Sequence, residues 1–170
     1  MKRSYLILGG ILIVLLAVMP AQAFTAKTLT VTLNGNGDAQ ADMQYDLSFV
    51  EQAAIFLHAA NPSATLQNAL SENLGRPVTV VSADMSSADV IIPSFASVVQ
   101  SGGSTIMTTP AFSFANAQQE VRNEWYGSLI SANFAPQTTT ITFPDGYQAG
   151  FNNQISIPSL THTLAAQTGA

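Results

Sequence analysis

The sequence predicts an α+β domain, an antiparallel sheet with helices packed on one face. Three observations carry that expectation. Stretches of strict alternation, such as Leu29, Val31 and Leu33 against Thr28, Thr30 and Thr32, have the two-residue period of half-buried strands. Turn residues punctuate the strands at Asn34-Gly35-Asn36-Gly37-Asp38, Ser101-Gly102-Gly103-Ser104 and Pro144-Asp145-Gly146. Between them lie segments with helical spacing, among them Leu66, Leu70 and Leu74.

The elements follow in order. Thr28 to Leu33 forms the first strand, and alternation resumes from Ala39 to Leu47 after the Asn/Gly turn, which gives a hairpin. Ser48 and Glu51 have capping-box spacing and open a helix over Phe49 to Ala60. Asn61-Pro62 breaks it. The Leu66–Leu74 stripe then predicts a second helix, with Gly75 at its C-terminal cap and Pro77 just beyond. Val78 to Ala83 reads as a strand. Val90 to Val99 reads as another, with Pro93 placing it at an edge or a bulge because proline cannot donate to a ladder. Thr105 to Phe114 returns, interrupted by Pro110. Asn116 caps a helix over Ala117 to Asn133, with Val121, Trp125 and Leu129 on one stripe. Thr138 to Phe143 alternates again, and Gln154 to Ile157 adds a short last strand. The order is hairpin, helix, strand, then the same again, so residues 28–83 and 90–143 share a β-β-α-β rhythm, as a unit repeated twice would, though the residue matches are too few to claim a duplication.

Composition narrows the function. The chain has 170 residues, no cysteine, 47% hydrophobic and only 9% charged residues, and a formal net charge of −5. The length fits one domain with a real core. The lack of cysteine removes disulfide scaffolds, thiolate metal sites and thiol nucleophiles. The acidic balance excludes the basic footprint that a nucleic-acid binder needs.

The N-terminus carries an address. Lys2 and Arg3 precede an apolar run from Leu6 to Met19, and Ala21 and Ala23 supply the small residues of a cleavage site. The run has 14 residues, short of the roughly 20 that a spanning helix needs. Residues 1–23 therefore read as a secretory signal cut before Phe24, and residues 24–170 as the single mature domain; the rival is an uncleaved anchor, which would be the chain's one membrane contact. Removing the signal leaves Lys27, Arg76 and Arg122 as the only Lys and Arg residues. A polar but nearly uncharged surface weakens repulsion between copies, so it favours contact with neighbours.

Candidate sites are few. Tyr126 lies off the Val121–Leu129 stripe, and Tyr147 and Phe151 follow the Pro-Asp-Gly turn, so these three are the expected binding residues. Oxygen-bearing side chains alternate through Asn34, Asn36, Asp38 and Asp42, as in a calcium loop, but Ala39 and Tyr45 stand where that loop needs glycine and a bidentate acid. His58 and His162 have no second histidine at ligand spacing. No metal site or cofactor is expected. No Gly-x-Ser-x-Gly elbow, phosphate loop or dinucleotide motif is present. A hydrolase would have to draw two of Asp84, Asp89, Glu120, Glu124 and Asp145 into one cleft.

The hairpin Leu33-Asn34-Gly35-Asn36-Gly37-Asp38-Ala39-Gln40-Ala41 and the segment Phe143-Pro144-Asp145-Gly146-Tyr147 resemble small exported proteins of archaea. The resemblance covers two short turns, implies a cell-surface setting, and carries over no catalytic residue. The expected role is a secreted, non-enzymatic structural or interaction module of the cell envelope. It would associate with itself or with another envelope protein through sheet edges. The alternative is an exported ligand-binding domain around Tyr126, Tyr147 and Phe151.

Overall fold

The computed structural model describes residues 24–47, 62–123 and 133–164. Its organising element is a six-stranded sheet. Strands β1 (Thr25–Leu33) and β2 (Ala39–Asp46) form the expected hairpin, with Leu29, Val31 and Leu33 buried and Thr30 and Thr32 exposed. A bulge at Lys27 shifts the register, so Ala26 and Leu29 both face inward although they are three residues apart. Strands β3 (Thr79–Ala83) and β4 (Ser87–Ile92) extend the sheet on the β2 side. On the other side β8 (Thr138–Thr142) runs parallel to β1, and β9 (Gln148–Asn152) pairs with β8 antiparallel at the far edge.

The rest is also strand-rich. Strands β5 (Ser97–Ser101), β6 (Ser104–Thr108) and β11 (Thr161–Leu164) form a three-stranded antiparallel sheet in the order β11-β6-β5. Strands β7 (Phe112–Ser113) and β10 (Ser156–Ile157) make a two-residue ribbon. Two helices are described, α1 (Pro62–Leu74) and α2 (Ala115–Asn123).

The α+β expectation is therefore corrected: the described chain is predominantly β, in mixed and antiparallel sheets, and helices do not cover the main sheet. The reason lies in what fills the core. Leu29, Val31, Leu33, Val90, Ile92 and Ile141 of the large sheet share one apolar cluster with Met107 of β6, Ile157 of β10, Phe95 and Phe143. Burial of the sheet's apolar face is thus met by other strands and their connections. Helix α1 offers only the narrow Leu66, Leu70, Leu74 stripe and packs at the β3 edge, where Leu70 and Leu74 touch the rim of the cluster. The described residues of helix α2, Ala-Asn-Ala-Gln-Gln-Glu-Val-Arg-Asn, are mostly polar.

Other differences have local causes. The stretch Val90–Val99 is divided: Pro93 and Ser94 turn the chain, with Ser94 at φ 51°, so β4 ends at Ile92 and β5 joins a different sheet. Pro110 likewise separates β6 from β7. Of the helix expected over Ala117–Asn133, residues 124–132 fall outside the described residues; Asn133 itself bridges Thr25, and its N–H donates to the Phe24 carbonyl at 2.8 Å. Duplication fails on topology, because β3 ends antiparallel at a sheet edge while β8 lies parallel beside β1. Strands β9 and β11 carry no strong alternation and are absent from the sequence expectation. The helix expected over Phe49–Ala60 falls outside the described residues.

Candidate functional site

The β8–β9 hairpin is built by the turn Phe143-Pro144-Asp145-Gly146-Tyr147. The Phe143 N–H donates to the Tyr147 carbonyl at 2.8 Å, and the Gly146 N–H donates to the Phe143 carbonyl at 2.9 Å. Gly146 takes φ +87°, the left-handed position of a three-residue hairpin loop. The Asp145 carboxylate holds the turn from two sides. Its Oδ1 accepts the Tyr147 N–H at 3.2 Å, and its Oδ2 lies 2.8 Å from His162 Nε2 on β11. Tyr147 stacks on the His162 ring with centroids 4.2 Å apart and planes 13° apart, and Phe143 meets the same imidazole edge-on at 4.9 Å. This cluster ties the start of β9 to the second sheet.

The hairpin geometry then fixes which backbone groups β9 presents. Phe143 and Tyr147 are a hydrogen-bonded pair, and the Asn153 N–H donates to the Gln137 carbonyl at the other end. Antiparallel pairs alternate, so the register Ile141↔Ala149 and Thr139↔Phe151 carries the bonds to β8. The N–H and C=O groups of Gln148, Gly150 and Asn152 therefore point away from the sheet. All three residues are exposed, and none of their amides donates to another described residue. A Cβ placed on Gly150 would meet nothing within 4 Å.

The opposite edge is capped at its start. The N–H groups of Val78 and Val80 donate to Ser71 Oγ and Gln67 Oε1 of α1, both at 3.1 Å, and β3 carries a register shift between Val80 and Ser82. A helix and a bulge are standard protections for an edge strand. Strand β9 has no bulge, no proline and no charged residue, and among the described residues no helix lies over it.

The expected site residues are distributed unequally. Tyr147 is half-exposed at 51% and sits at the mouth of this edge. Phe151 lies on the same face of β9 but is partly buried against the core, so it braces the edge strand from beneath. Tyr126 lies outside the described residues. An open, mostly apolar hollow of about 430 Å³ lies elsewhere, between Ala111–Ser113 and Ser156–Pro158.

Among the described residues, Asp84, Asp89 and Asp145 are held in three separate places. Asp84 sits in the β3–β4 loop, where the N–H groups of Ser86 and then Ser87 hold its carboxyl below the usual range. The Tyr45 hydroxyl donates to the Asp84 carbonyl at 2.7 Å; burial, and then the Asp84 charge, push that phenol up. Asp89 accepts from Gln40 Nε2 at 3.2 Å, on the outer face of the sheet. Asp145 belongs to the hairpin at the far edge. Glu124 lies outside the described residues, as does His58. In the Asn/Gly turn, Asp38 Oδ1 accepts the Ser94 N–H at 2.7 Å and Oδ2 accepts from Asn36 at 2.7 Å. Among the described residues no group of three His, Cys, Asp or Glu side chains could hold a metal ion.

The Asp145–His162 contact was not legible in the sequence, because 17 residues separate the partners and β11 has no pattern of its own. Comparison with family models, with curated proteins and with solved structures finds no match to this chain.

Proposed function

We propose that this protein is an exported, non-enzymatic module of the cell envelope that joins a neighbour by strand addition at β9. The observation that carries the reading is the contrast between the two edges of one sheet: at the β3 edge the N–H groups of Val78 and Val80 are capped by Ser71 and Gln67, while among the described residues nothing caps Gln148, Gly150 and Asn152 of β9. Unpaired backbone groups on a straight, uncharged edge are a template for another strand, and natural sheets normally block them. The Asp145–His162–Tyr147 cluster pre-sets the hairpin, which lowers the ordering cost of binding. The export reading rests on the basic start, apolar run and Ala-x-Ala of residues 1–23.

Amide exchange of the full-length chain tests this. With the host envelope fraction added, the amides of Gln148, Gly150 and Asn152 are expected to gain protection. Gly150→Pro removes an outward N–H that β8 does not use, so it is expected to keep the fold and abolish that gain. Equal exchange with and without the envelope fraction would remove the edge as an interaction site.

A further inference from the structure

We infer that the strand added at β9 is the β9 of a second copy, running antiparallel about a two-fold axis through Gly150. This rests on the reading of β9 as a strand-accepting edge and names its partner.

The register argues for it. An isologous contact must place each residue opposite its symmetry mate. With Gly150 on the axis, Gly150 faces Gly150, and Gln148 faces Asn152 in both directions. These are the three residues whose N–H and C=O groups point outward, so every outward group of one strand meets an outward group of the other in a hydrogen-bonded pair. No mate is wasted, and no register slip is needed.

Side chains agree with the backbone. Gln148 and Asn152 are neutral amides that both donate and accept, so their pairing brings no like charges together. At the axis, where two identical side chains would crowd each other, the residue is glycine with open space around it. On the inner face the same register sets Phe151 opposite Ala149, a large residue against a small one. The outer face continues without interruption. In each copy Thr138, Thr140 and Thr142 of β8 lie beside Thr28, Thr30 and Thr32 of β1, and the joined sheets extend this uncharged band across both molecules. A foreign acidic or basic strand would find no complementary charge anywhere on β9.

Charge-swapped variants of the full-length chain at position 150 give the test. In a neutral detergent, with no other protein present, the wild type is expected to double in mass in sedimentation as concentration rises. The amides of Gln148, Gly150 and Asn152 should gain protection together with that change. Gly150→Lys and Gly150→Glu would each place like charges across the axis and are expected to stay monomeric alone; mixed one to one, they are expected to form the dimer again. A wild-type chain that stays monomeric, or a Gly150→Lys chain that dimerises like wild type, or a mixture that stays apart, overturns the two-fold contact. If protection appears only with the envelope fraction, the second copy is removed as partner while the edge reading stands. If it appears under neither condition, both fall.

Discussion

Gly37→Ala is expected to destabilise the domain by about 3 kcal/mol, the sum of a left-handed backbone penalty and a steric overlap. Gly37 closes the β1–β2 hairpin at φ +91°, and a Cβ there would sit 2.3 Å from the Ala96 carbonyl oxygen. The close approach is functional in the fold. The Ala96 N–H donates to the Gly37 carbonyl at 2.8 Å, and Asp38 Oδ1 holds the Ser94 N–H, so this turn anchors the connection that carries the chain from the large sheet to β5. Gly146 is the control. It occupies the same position of the same kind of loop at φ +87°, yet nothing lies within 4 Å of its would-be Cβ. Gly146→Ala should therefore cost only the conformational part, about 1 kcal/mol. Urea unfolding of the two variants separates the effects: the midpoint of Gly37→Ala falls well below that of Gly146→Ala. Equal midpoints would mean that the turn does not press against β5.

Phe143→Ala is expected to cost about 3–5 kcal/mol, the range for emptying a buried aromatic site. The ring is 2% exposed and belongs to the main apolar cluster. It also supports the imidazole of His162 and lies 5.8 Å from the Tyr147 ring, so its loss removes the floor under the hairpin that presents β9. Phe143→Leu keeps most of the volume and should lose about 1 kcal/mol. Thermal unfolding that ranks wild type, Leu and Ala in that order supports the placement. An Ala variant as stable as wild type would place Phe143 outside the core.

Much of this was readable from local pattern. The alternation of Thr28–Leu33 and Thr138–Phe143 places both strands and their buried faces, because a period of two leaves one choice of face. The same alternation could not say that β1 and β8 are parallel neighbours, since pairing partners more than a hundred residues apart leave no trace in either strand. The α+β expectation failed where it assumed that apolar sheet faces need helices; Met107, Phe95 and Ile157 fill that role from strands and loops with weak patterns of their own. At the edge, Tyr147 was legible as an exposed aromatic after a turn, whereas Phe151 was not legible as a core residue. Glycine at position 150 and two amides beside it resemble any loop until the register of β9 shows where their backbone points.

The most direct measurement is residue-resolved amide exchange along β9 in the dilute, unpartnered protein. Alternating rates are expected, slow at Ala149 and Phe151 and fast at Gln148, Gly150 and Asn152, with Val80 of the capped edge slow as well. Uniformly slow exchange across residues 148–152 in the isolated chain, or the opposite alternation, would contradict an open edge at β9.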